Sequence, residues 1–428
     1  MDIDRRLAFI ALARILDKQR HLGDALAEAE VSLEVRAEPR DRAFAHKLVA
    51  TCLRRLGQID ALIDSLLDRP MPAKARGARH ILRLGAAQLL FLETPAHAVV
   101  DTAVNLAGDT GQGHYKKLVN AVLRRAAKEG ATAIGSQDAG RLNTHDWLWQ
   151  GWKRAYGAET AAAIAGAHLE EPGIDLTVKW DPAGWAEKLG GLVLPNGSVR
   201  LPRSVRPVDL AGYVDGEWWV QDAAASLPAR LFGDVAGKRI ADLCAAPGGK
   251  TAQLALGGAL VTAVDRSEKR LQRLSENLAR LGLAADIVPA DALYWRPEEP
   301  VDGVLLDAPC SATGTIRRHP DIAHTRRPAD IARAAAWQAR LLAHAAGLLK
   351  PGGVLVFTTC SLEPEEGPEV VANLLASNPG LSHEPISAAE IGGPDEAVTT
   401  EGNLRSLPCH WSALGGMDGF YGVRLVRD

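Results

Sequence analysis

Two cysteines, each followed by serine, stand in segments suited to chemistry: Asp307-Ala308-Pro309-Cys310-Ser311 and Thr358-Thr359-Cys360-Ser361. Each segment closes a run that reads as a buried strand, Gly303–Asp307 and Gly353–Thr359. Ligands of an open α/β sheet bind outside the carboxyl ends of its strands. Adjacent strands would therefore bring both thiols and Asp307 to one crevice. Either cysteine alone reads as a small buried side chain. A pair, beside an acid and a glycine loop, reads as a reaction centre. A thiolate adding to C6 of a cytosine turns C5, otherwise a poor nucleophile, into an enamine-like carbon that can take an electrophilic methyl group. An acid on the N3/N4 edge of the ring, here Asp307, favours that addition by stabilising charge in the ring. The C5 proton must then be removed before the thiolate can leave, and a second cysteine can assist. The residues themselves leave open which cysteine does which.

A cofactor loop is written just upstream. Ala241-Asp242-Leu243-Cys244-Ala245-Ala246-Pro247-Gly248-Gly249-Lys250-Thr251 follows a strand pattern and opens a helix. Small residues and two glycines let the backbone approach a ligand, and the helix N-terminus offers free N–H groups. Asp265 ends the next strand, where an acid can bind ribose hydroxyls, and Asp291 follows the third. Together they describe an adenosine pocket, which would suit S-adenosylmethionine or NAD. The absence of an intact Gly-x-Gly-x-x-Gly here lowers the dinucleotide reading.

The elements that must position these groups divide the chain in three. Residues 1–140 show apolar residues at helical spacing, as in Leu7, Ile10, Ala11, Leu12 and Ile15, and no strand signal. Ile81 to Leu92 is apolar nearly all round, which predicts a central helix. A segment rich in Gly, Ala, Ser and Asp over 130–145 reads as a linker, and 141–235 as linker plus a small α+β module with a strand over 174–180. From 236 to 428 strands alternate with helices: Arg239–Cys244, Leu260–Asp265, Asp286–Pro289, Gly303–Asp307 and Gly353–Thr359, with helices at 249–257, 267–281, 328–349 and 364–376. That rhythm predicts a mostly parallel sheet, Rossmann-like, with helices on both faces.

Composition is that of an ordinary globular protein, with 47% hydrophobic and 24% charged residues. No apolar run reaches the roughly 18 residues of a membrane span, and the charged N-terminus lacks a signal-peptide centre. These features predict a cytoplasmic chain that needs no membrane. The five cysteines, at 52, 244, 310, 360 and 409, form no Cys-x-x-Cys pair, so neither a metal site nor a disulfide framework is expected. The net charge of −3 does not by itself indicate nucleic acid. Residues 1–140 nevertheless hold 21 Lys and Arg against 17 Asp and Glu, a weak positive bias.

Taken together, Asp-Leu-Cys-Ala-Ala-Pro-Gly-Gly-Lys-Thr, Asp-Ala-Pro-Cys-Ser and Thr-Cys-Ser resemble the RNA cytosine-5 methyltransferases of the Sun (nucleolar-protein) type. Gln221-Asp222, Arg317-Arg318-His319-Pro320-Asp321 and Gly416-Met417-Asp418-Gly419-Phe420-Tyr421 extend the resemblance. The N-terminal part resembles a NusB-like RNA-binding domain in Leu82-Arg83-Leu84-Gly85, Pro95-Ala96-His97-Ala98 and Val119 to Arg125. The resemblance implies a class I methyltransferase domain behind a NusB-like all-α bundle, with S-adenosylmethionine as cofactor. It implies Cys360 as nucleophile and Cys310 as the aid to product release. It places Cys244, Ala245, Ala246, Pro247, Gly248, Gly249, Lys250, Asp265, Asp291 and Asp307 at the cofactor, with Arg270 helping. RNA, 16S rRNA first, is the implied substrate of a monomeric enzyme. The same chemistry on tRNA or another rRNA site, or a non-catalytic RNA-binding factor, are the alternatives. For phosphate contacts the sequence offers Arg54-Arg55, Lys116-Lys117, Arg124-Arg125, Arg200, Arg203 and Arg206, and above all Arg317, Arg318 and His319.

Overall fold

The structure, a computed structural model, describes residues 2–34, 36–202 and 205–428. Arg203, one of the expected RNA contacts, lies outside them. The chain forms two compact units, one of residues 1–170 with 316–326, the other of 171–315 with 327–428.

The first unit is helical, with no strand among its described residues. Arg76–Phe91 is its central helix, burying His80, Ile81, Leu82 and Leu84 to Gln88 as the all-round apolar pattern predicts. Gly85 is required there by close packing, since a Cβ would come within 2.7 Å of the Leu123 side chain. The unit does not end near 140. Asn143 accepts from the Gln58 backbone N–H at 3.1 Å, and Arg55 donates to the Leu169 carbonyl at 3.0 Å. These bonds satisfy polar groups at helix ends and draw the helices Asp146–Tyr156 and Ala158–His168 into the bundle. Segment 316–326 joins it in the same way. Arg54 donates to the Arg317 carbonyl at 2.8 Å, and Asp321 accepts from the Leu22 N–H at 3.2 Å.

The second unit carries two sheets. The smaller is antiparallel, of β1 (Ile174–Val178), β2 (Leu192–Val193), β3 (Val199–Leu201) and β4 (Trp218–Val220), in the order β2-β3-β1-β4. The larger holds β5 (Arg239–Leu243), β6 (Leu260–Asp265), β7 (Asp286–Pro289), β8 (Val301–Asp307), β9 (Leu349–Thr359), β10 (Leu381–His383), β11 (Leu404–Ser406) and β12 (Phe420–Arg427). Its order is β10-β12-β9-β8-β5-β6-β7, with β11 on β12. From β9 to β7 the neighbours are parallel, while β12 runs antiparallel to β9. Helices on both faces bury the central strands, and so the middle of β8, Val304–Leu306, and of β9, Val354–Phe357, are continuous apolar runs. The sequence reading places β6 and β7 at their observed limits, starts β8 and β9 too late, and omits β10 to β12.

Candidate active site

β5 leads through a helix to β6 on one side, and β8 lies on its other side. The sheet thus switches direction between β5 and β8, and a crevice opens at their carboxyl ends. The loop from Cys244 to Lys250 forms one wall. Cys244 has φ +62° and Gly248 φ +98°, and a Cβ on Gly248 would meet the Leu274 side chain at 2.7 Å. Only glycine fits that second position without strain. The helix Gly249–Leu256 then starts with its N–H groups at the crevice.

Asp265, at the end of β6, is 2% exposed. It accepts from the Ser267 N–H at 2.9 Å and the Ala246 N–H at 3.3 Å, and pairs with Arg270 at 3.0 Å. Arg270 also donates to the Ala246 carbonyl, so it ties the acid to the loop. Asp291 accepts from the Leu293 N–H at 2.9 Å. Cys244, Asp265, Arg270, Asp291, Pro309 and Trp337 line one open cavity. Carboxylates for ribose hydroxyls, an indole and a proline for the flat base, and a small-residue loop for the amino-acid end fit S-adenosylmethionine. Trp337 was not anticipated; it is one aromatic on the helix Pro328–Ala346, and nothing in its spacing separates it from core residues.

On the other side of the switch, Lys250 reaches across to Asp307, Nζ to Oδ2 2.7 Å. The ammonium is almost buried and also sits 5.0 Å from the centre of the Phe420 ring. Asp307, half-buried, ends β8, and its neighbour in register on β9 is Thr358. The parallel pairing carries the two following loops side by side. Cys310 and Cys360 face each other with sulfurs 3.3 Å apart, both free thiols. The hydrogen bond to Cys360, aided by burial, holds the Cys310 thiol well above the ordinary cysteine range. Burial first, then the nearby carboxylates, pushes Cys244 up to about 12. Cys244 therefore keeps its proton and is no nucleophile. Beneath the loop Asp242 is fully buried, accepts from the Thr251 hydroxyl at 2.6 Å, and is raised by burial to about 7.

The expected RNA contacts fare less evenly. Arg317 is 2% exposed and cannot offer its guanidinium to a phosphate at the surface. It belongs to the helical unit, with half-buried Arg318 and exposed His319. Arg200 is buried against Asp175 at 2.6 Å and bonds the Gly416 carbonyl at 2.6 Å, so it is a structural ion pair. Lys116, Lys117, Arg124 and Arg206 are exposed. No group of three or more His, Cys, Asp or Glu among the described residues is placed to hold a metal ion.

The sheet with its switch-point crevice, loop and strand-end acids defines an S-adenosylmethionine-dependent methyltransferase. Residues 231–426 match the family model described as 16S rRNA methyltransferase RsmB/F, and residues 2–128 match the NusB family. A ribosomal RNA small subunit methyltransferase B of Serratia proteamaculans is 38% identical over 87% of this chain and 89% of its own. One of Klebsiella pneumoniae is 36% identical over 99% and 98%. The crystal structure of a protein described as PH0851 superposes with a TM-score of 0.77 at 22% identity, covering 99% of this chain and 98% of that one, and so shares the fold. The chain belongs to the 16S rRNA methyltransferase RsmB/F family.

Proposed function

We propose that this protein methylates C5 of a cytosine in 16S rRNA through a covalent adduct between Cys360 and C6 of the base. The observation that carries the reading is the pair of free thiols, sulfurs 3.3 Å apart, at the ends of two adjoining strands. A purely structural pair of thiols has no need of an acid at the end of β8 and an ammonium from the helix after β5 beside it.

Cys360 attacks C6 as thiolate, and the ring electrons move toward C5 and the N3 edge. Asp307 accepts from the exocyclic N4–H group, and Lys250 supplies positive charge for the electron density arriving in the ring. The loop from Cys244 to Lys250 and Asp265 would hold S-adenosylmethionine, which would supply C5 with its sulfonium methyl group and depart as S-adenosylhomocysteine. Cys310 keeps its proton while Cys360 is a thiolate, because the two share a hydrogen bond. Formation of the C6–S bond removes that acceptor, the largest cause of the raised Cys310 thiol, and the partly exposed Cys310 passes its proton to water. It then takes the C5 proton, the C5–C6 double bond reforms, and the C6–S bond breaks to return Cys360 as thiolate. The base must leave its stack to reach the thiols. The exposed Lys116, Lys117 and Arg124 of the NusB-like unit offer contacts for RNA phosphates.

The test is methyl transfer to separately purified 16S rRNA, 23S rRNA and tRNA, followed by digestion to nucleosides. The reading requires 5-methylcytidine in 16S rRNA from the unaltered protein, and none from Cys360→Ala. Product in tRNA or 23S rRNA alone would move the substrate, and a methyl group at another atom would end the thiolate mechanism.

A further inference from the structure

Glu366 lies in the short helical turn Pro364–Glu366 after β9, in the acidic run Glu363-Pro364-Glu365-Glu366. Within that acidic run Glu366 is fully buried, at 0% exposure. Its carboxylate accepts from donors on the two cysteine loops and one helix. Oε1 accepts from the Ser311 N–H at 2.8 Å and from Gln338 Nε2 at 3.1 Å. Oε2 accepts from the Ser361 hydroxyl at 2.7 Å and from the Ser311 hydroxyl. The two serine hydroxyls lie 3.1 Å apart. Ser311 and Ser361 are the residues directly after Cys310 and Cys360. Gln338 closes the set by donating to the Pro309 carbonyl at 3.0 Å, on the other side of Cys310. The Thr359 hydroxyl donates to the Glu366 carbonyl at 3.0 Å, on the other side of Cys360.

We propose that Glu366 is the positioning residue that sets the spacing of the two thiols, by clamping the serine that follows each of them. A buried carboxylate is costly unless its oxygens are satisfied, and here the donors that satisfy it are the two loops whose separation matters. Aspartate would fall one methylene short of the serines. Glutamine keeps one acceptor oxygen but turns an amide N–H₂ toward groups that donate. The effect on catalysis rests on the two-cysteine reading above; the effect on spacing does not.

The experiment compares full-length wild type, Glu366→Gln, Glu366→Ala and Ser361→Ala, each first shown to melt cooperatively. Phenylarsine oxide, whose arsenic bridges two adjacent thiols, is the probe. Its rate of bridging Cys310 to Cys360 is read by mass spectrometry and divided by the rate of single-thiol alkylation. The expected ratio falls about tenfold in Glu366→Ala and less in Glu366→Gln and Ser361→Ala, following the number of clamp bonds lost. In the same variants kcat for methyl transfer falls while KM for RNA holds. A folded Glu366→Ala with the wild-type bridging ratio overturns the proposal. Slower bridging with an unchanged kcat supports the clamp, and it is then the two-cysteine mechanism that fails.

Discussion

The backbone of Gly314 presses against that of Cys360: the Gly314 N–H donates to the Cys360 carbonyl at 2.9 Å. The Gly419 N–H in turn donates to the Gly314 carbonyl at 2.8 Å, so the Cys310 loop, the Cys360 loop and the turn before β12 are laced together at one point. A Cβ on Gly314 would lie 2.0 Å from the Gly419 carbonyl oxygen and 2.9 Å from that of Cys360. Neither oxygen can retreat without moving a strand end.

Gly314→Ala should therefore part the two cysteine loops. Overpacking against backbone costs roughly 1–3 kcal/mol, and kcat should fall at least tenfold with the cofactor affinity little changed. Thermal melting and calorimetric titration with S-adenosylmethionine check the two parts. An alanine variant of wild-type activity would mean that the contact is not tight.

Lys250→Met keeps the apolar buried stem but removes the ammonium that lies 2.7 Å from Asp307 and 5.0 Å from the centre of the Phe420 ring. Loss of one preorganised charge at a reacting centre costs on the order of 10²-fold or more in kcat. The proposed role predicts that loss in single-turnover methyl transfer. A fall confined to KM for RNA would assign Lys250 to binding alone.

Asp242 gives a pH signature. Burial raises its carboxyl from the ordinary 3.8 to about 7 in the folded chain. The folded state therefore holds a proton that the unfolded chain has already released between those values. Stability from this group is fully present below pH 3.8 and is lost as pH rises through about 7. Asp242→Asn, which can still accept from the Thr251 hydroxyl, should gain on wild type as pH rises across that window. Melting temperatures of both proteins at about pH 4.5, 6 and 7.5, which span that window, give the comparison. A constant difference would mean that Asp242 is ionised throughout.

The crevice was largely legible in the sequence because its parts sit at strand ends. Asp265, Asp307 and Cys360 each terminate or follow an apolar run, and burial of β6, β8 and β9 on both faces makes those runs continuous. What tertiary pairing decides was not legible. Arg200 and Arg317 read as surface cations, yet both are buried, Arg200 against a carboxylate 25 residues away in the chain. Glu366 reads as one acid among three, and only the convergence of Ser311, Ser361 and Gln338 makes it a clamp. The antiparallel β12 was missed because its partner β9 lies far back in the chain, with no short turn between them to mark a hairpin.

The measurement that bears most directly on the mechanism is a denaturing gel of Cys310→Ala and Cys360→Ala, each incubated with 16S rRNA and S-adenosylmethionine carrying a labelled methyl group. On the proposed mechanism addition and methylation survive in Cys310→Ala while release stalls, so that variant should give a slow-migrating, labelled protein–RNA band, and Cys360→Ala should give none. A labelled band from Cys360→Ala alone would contradict this account by exchanging the roles of the two sulfurs.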